Sequence, residues 1–177
     1  MFSRDDSTEF CGEVVREHYK GIYNFLAYLS GDKSVAEDLT QETFLAALSG
    51  IDACKNRASL KNWLYKIAYH KFIDSERKRT RETDLKNNCQ QCACLFSKTP
   101  DPINKLIGEE SLYRIYEAMT KLDLHENSVI ILHYIQGFSF NDMAHILDEP
   151  VGTVKARNSR ALARLKTMLS EREQQCL

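Results

Sequence analysis

The chain has 177 residues, 43% of them apolar, and a formal net charge of -1, which excludes a disordered polyelectrolyte and allows one ordinary core or two small ones. No apolar run reaches the ~20 residues that cross a bilayer, and the start MFSRDDSTEF is acidic where a secretory leader is basic and then apolar, so a cytoplasmic protein without membrane insertion is expected. In that compartment the six cysteines stay mostly reduced, which argues against a disulfide scaffold and leaves metal or redox chemistry open to them.

Seven glycines, three prolines and almost no strict alternation of apolar residues predict an all-α protein. The near-zero charge conceals blocks: net -6 over residues 1–52, +7 over 53–81, -6 over 82–152 and +4 over 153–177. Two basic segments, each after an acidic one, suggest two surfaces for a polyanion and two for another partner. Solvated helix faces are the plainer account of such blocks.

The first group of helices opens with one carrying Val15, Ile22, Phe25, Leu26 and Leu29. SVAE, Ser34 to Glu37, reads as a capping box that starts a second. At about 100 degrees per residue, Asp38, Gln41, Glu42 and Leu45 share one exposed stripe of it, and Val35, Leu39, Thr43 and Ala46 the inward one beside it. SGIDACKNRAS is a loop. A third helix follows with Leu60, Trp63, Leu64, Ile67 and Ala68 at core spacing and a basic tail, ERKRTR, that ends at Arg81. Lys61, Tyr65, Tyr69 and Phe72 line up on one face, which points to packing ahead of a stacking platform.

From about Glu82 to Pro102 the sequence is polar, without helical period, and ends in two prolines. It is the expected linker, placed at 83–104 between domains spanning 1–82 and 105–177. The second domain should hold an amphipathic helix over Leu106–Leu122, a short apolar one over Ser128–Ile135, and a third capped by Ser139 that carries Phe140, Met143, Ala144 and Leu147. A turn, DEPVG, then leads to the basic helix TVKARNSRALARLK.

A short helix, a turn and a second helix with a basic start is the layout of a helix-turn-helix, whose second helix enters the major groove. Lys155, Arg157, Arg160 and Arg164 can neutralise phosphates or pair with guanine edges. Val154, Ala161, Leu165 and Met168 should face the core. Asn158 has the chemistry to read adenine, but falls on the Val154 and Ala161 side, where packing is the stronger account.

GFSFNDMAHILDEPVGTVKARNSRALARLK resembles the promoter-reading C-terminal region of the extracytoplasmic-function (ECF) sigma factors of bacterial RNA polymerase, members of the sigma-70 family. AEDLTQETFLAAL and SLKNWLYKIAYHKFIDSERKR resemble that family's N-terminal region, in the same order. The chain departs at Asn158, where the family usually has an apolar residue, and at Leu162, often basic. The resemblance implies a transcription-initiation factor without catalytic residues or a required cofactor, whose partners are the polymerase core and promoter DNA, and which leaves room for an anti-sigma factor.

By the same resemblance, the helix carrying Asp38, Gln41, Glu42 and Leu45 docks on the clamp helices of the largest polymerase subunit. Lys55, Asn56 and Arg57 lie in the loop that reads and melts the minus-ten element, with Arg77, Lys78, Arg79 and Arg81 as a track for the freed strand. The C-terminal helix reads the minus-thirty-five element.

CQQCAC, carrying Cys89, Cys92 and Cys94, lies where the resemblance is weakest. Its spacing lets three thiolates converge on zinc or copper(I), with Cys54, Cys11 or a histidine as a fourth ligand. Half of a usual zinc site is missing, so idle reduced thiols are the plainer reading, and a reversible disulfide is a third. Two other functions compete: a stand-alone helix-turn-helix regulator, and a thiol or metal oxidoreductase. The latter lacks a βαβ pattern, a glycine-rich phosphate loop and a second ligand cluster.

Overall fold

In a computed structural model of the chain, residues 4–50, 57–84 and 109–175 are described, and among them every regular element is helical. They gather into two compact units, one on the helices before residue 91 and one on most of those after it.

The first unit holds α1 (Arg4–Ser30), α2 (Lys33–Gly50) and α3 (Arg57–Asp84). Their apolar stripes meet in a core of Ile22, Phe25, Leu26, Leu39, Phe44, Leu64, Ala68 and Phe72. Tyr65 and Tyr69 are buried with them, so the aromatic face of α3 is packing, and its Lys61 stays exposed. α1 stops at Gly31, whose φ of 67 few residues but glycine adopt readily.

Asp32, not Ser34, caps α2: its Oδ1 accepts from the Ser34 N–H at 2.8 Å and the Val35 N–H at 3.3 Å. The inward stripe of α2 is Ala36, Leu39, Thr40, Thr43, Phe44 and Ala47, with Val35 and Ala46 only at its edge. The buried Thr40 and Thr43 hydroxyls donate to the Ala36 and Leu39 carbonyls at 2.6 and 2.7 Å, which spares the core an unpaired polar group. α3 runs to Asp84, two residues into the expected linker, because nothing in ERKRTRETD interrupts a helix.

The second unit holds α4 (Glu109–Met119), α5 (Leu124–Ile130), a π-helical turn (Ile131–Ile135), α6 (Phe140–Leu147) and α7 (Val151–Gln175). α5 starts four residues before the expected Ser128, because Asp123 caps it by accepting from the Glu126 N–H at 2.8 Å. Ser139 and Asp142 form the reciprocal box that opens α6: the Asp142 N–H donates to the Ser139 hydroxyl, and the Ser139 N–H to the Asp142 carboxylate.

α6 ends at Asp148, in the left-handed region at φ 55, and the Glu149 N–H returns to the Ala144 carbonyl at 3.1 Å, which closes the helix as a Schellman cap does. The turn is therefore Asp148–Pro150, shorter than DEPVG. Val151 and Gly152 already belong to α7, whose first bond runs from the Val154 N–H to the Pro150 carbonyl. Val129, Ile131, Leu132, Met143, Ile146, Val154 and Ala161 form the core of this unit.

Candidate nucleic-acid interface

α6, the turn and α7 form the helix-turn-helix. Val154, Ala161 and Leu165 are buried and Met168 half-buried, as expected from their spacing. The opposite side of α7 exposes Thr153, Lys155, Ala156, Ser159, Arg160 and Ala163. Among the described residues Arg160 has no ion-pair partner, so its guanidinium is available to a phosphate or a guanine edge. Lys155 sits 5.9 Å from the centre of the Phe140 ring. His133 stacks on the same ring at 4.6 Å, so the lysine stem rests on an aromatic step that keeps its charge at the surface.

Three expected DNA contacts are placed otherwise. Asn158 is 7% exposed, its amide nitrogen 3.5 Å from the Tyr134 hydroxyl and its Oδ1 without a partner; the Val154–Ala161 side of the helix carries it into the core, away from any base. Arg157 is only 14% exposed and pairs with Glu149 at 2.5 Å. Arg164 donates to Glu126 at 2.5 Å and stands 3.8 Å from Asp123. Both arginines are engaged within the unit by acids that the local sequence pattern did not connect to them.

In the first unit, Arg77, Lys78, Arg79 and Arg81 are exposed along the end of α3. Arg77 and Arg79 face Asp74 and Glu76 one turn back, at 3.6 and 2.8 Å, surface pairs that are worth little and readily exchanged for a phosphate. Lys55 and Asn56 lie outside the described residues, as does the side chain of Arg57.

Asp38, Gln41, Glu42 and Leu45 are all exposed on α2, Leu45 by 66%. Glu42 meets Lys71 of α3 at 3.2 Å. Beside them runs a shallow apolar groove of Val15, Tyr19, Gln41, Phe44, Leu45 and Leu48. Tyr19 stacks on Phe44, ring centres 6.0 Å apart. Sequence reasoning missed Tyr19, although it lies one turn after Val15 on α1 and shares its side of the helix.

Among the described residues no group of His, Cys, Asp or Glu side chains is arranged to hold a metal ion, and no helix is long and apolar enough to cross a membrane. Cys89, Cys92, Cys94 and Cys54 lie outside those residues, as does the side chain of Cys11.

Family models for sigma-70 region 2 and sigma-70 region 4 match residues 14–82 and 112–165. The ECF RNA polymerase sigma factor EcfG of Rhodopseudomonas palustris is 34% identical over 145 residues, which cover 82% of this chain and 77% of that protein. The chain belongs to the ECF sigma factors. SigX of Bacillus subtilis, another, is 30% identical over 151 residues, 84% of this chain and 78% of its own. Among solved structures, the sigma factor RpoE of Bartonella quintana, in complex with the anti-sigma factor NepR, superposes with a TM-score of 0.78 at 29% identity, covering 92% of this chain and 97% of that one. The region 2 match spans the α2 stripe and the basic end of α3, and the region 4 match spans α6 and α7 as far as Leu165.

Proposed function

We propose that this sigma factor joins the RNA polymerase core through α2, places the basic end of α3 along the opened minus-ten element, and reads the minus-thirty-five element with α7. One observation carries the reading: a chain with both sigma regions exposes an acidic and apolar stripe on α2 and an unpartnered cation, Arg160, on the helix-turn-helix. An uncompensated cation on a recognition helix suits a phosphate backbone or a guanine edge. Lys55, Asn56 and Arg57 serve the minus-ten element in the same scheme.

Two small modules gain affinity when something holds them at the right separation. The protein alone then binds duplex DNA weakly, and with purified core polymerase it directs run-off transcription from particular genomic fragments. Tight, specific promoter binding without polymerase would instead make it a stand-alone helix-turn-helix regulator. An anti-sigma factor is a fitting third partner, as RpoE was solved with one. The spacing of Cys89, Cys92 and Cys94 supports a further level of control by zinc, copper or a reversible disulfide in the cytoplasm. Under that control Cys92→Ser leaves basal transcription intact and removes the response to metal or oxidant; wild-type protein with no bound metal and no such response excludes it.

A further inference from the structure

Two details of the second unit meet at one ion pair. The Glu149 N–H is tied to the Ala144 carbonyl immediately after the left-handed Asp148, so this carboxylate sits at a fixed point of the turn. Its partner Arg157 lies two helical turns into α7. The side chains are 21% and 14% exposed and 2.5 Å apart, which leaves the pair little screened by solvent and the guanidinium little surface to offer a ligand.

We propose that Arg157 is a positioning residue, not a DNA contact: paired with Glu149, it fixes the angle at which α7 leaves the turn, and the exposed face that carries Arg160 is thereby aimed at the base edges. This rests on the reading of α7 as the helix that enters the groove. A helix held at a set angle discriminates between sequences, whereas one that swings still finds phosphates on any duplex. The pair therefore governs discrimination more than gross affinity.

The test uses the full chain bound to core polymerase and two fluorescent duplexes: a promoter fragment recovered by run-off transcription, and a scrambled duplex of the same length, each titrated across a salt series. Arg157→Ala should weaken promoter binding about tenfold and scrambled binding by less than about twofold, without altering the slope of log affinity against log salt. Glu149→Gln should produce the same selective loss. The charge swap, Glu149→Arg with Arg157→Glu, should recover most of the discrimination. If circular dichroism shows that Arg157→Ala has lost helix, the swap decides, and failure to recover discrimination in a folded swap overturns the proposal.

Two other results also overturn it. A slope lower by about 0.9 for Arg157→Ala marks a lost phosphate contact, and tighter binding by Glu149→Gln marks an acid that merely shields Arg157 from DNA. Arg160→Ala probes the underlying reading separately: no change in slope or in discrimination removes α7 from the DNA surface, whatever Arg157 does.

Discussion

Arg164 near the middle of α7 donates to Glu126 in the first turn of α5, Nη1 to Oε2 at 2.5 Å, and the Glu126 side chain is 7% exposed. The carboxylate has left water, and Arg164, itself 46% exposed, supplies its compensating charge. Arg164→Ala should cost about 2 kcal/mol, below the ~3–5 of a fully buried pair because water enters from the arginine side. Glu126→Gln should cost less, since the amide keeps a hydrogen-bonding oxygen without the charge. Urea unfolding of the variants, with unchanged m-values, checks the order.

Asp123 begins the same helix. Burial pushes its carboxyl up, but the Glu126 and His125 N–H groups it accepts from, together with the charge of His125, hold it below the usual carboxylate range. A folded-state value below the unfolded one of about 3.9 gives stability that is present at neutral pH and lost as pH falls through the folded value. Asp123→Asn should therefore flatten the decline in stability below about pH 4, and Asp123→Ala should cost about 1 kcal/mol at pH 7. Thermal unfolding across an acid pH series reads both.

α1 passes close to α3 at Gly21, where an added Cβ would lie 2.7 Å from the Tyr65 hydroxyl oxygen. Tyr65 is 2% exposed and its ring has no room to swing aside. Gly21→Ala should destabilise the first unit by about 1–3 kcal/mol, although alanine is the better helix former. Gly21→Ala in a Tyr65→Phe background should recover part of the loss, which a double-mutant cycle measures.

Asp38→Lys combined with Gln41→Ala should abolish co-purification with core polymerase and leave the circular dichroism spectrum unchanged, since both side chains are exposed on α2. Retained association with core would place the docking surface elsewhere, the Tyr19 groove first.

The order of the helices and the core of α7 were legible because apolar residues at helical spacing need no knowledge of the rest of the fold. The cap of α2 was not, because Asp32 and Ser34 are both good capping residues and only the left-handed Gly31 before them decides which one stays outside the helix. Val151 and Gly152 read as turn for a similar reason: glycine marks a break locally, while Pro150 had already set the chain for the helix. For the recognition helix, Lys155 and Arg160 stand exposed as their positions suggested. Arg157 and Arg164 do not stand free, because their acids lie eight and thirty-eight residues away in the chain, beyond any local pattern of charge.

The π-helical turn Ile131–Ile135 closes with a bond from the Gln136 N–H to the Ile131 carbonyl at 3.0 Å, five residues back where an α-helix would reach four. One surplus residue is thus stored in a wide loop of backbone between α5 and α6. Removing a single residue there lets the turn tighten to an ordinary α-helix without breaking the hydrogen-bond ladder, and carries whatever follows around the helix axis by about 100 degrees. In lineages of this sigma factor, a one-residue length change at that point is the least disruptive way to re-aim the helix-turn-helix.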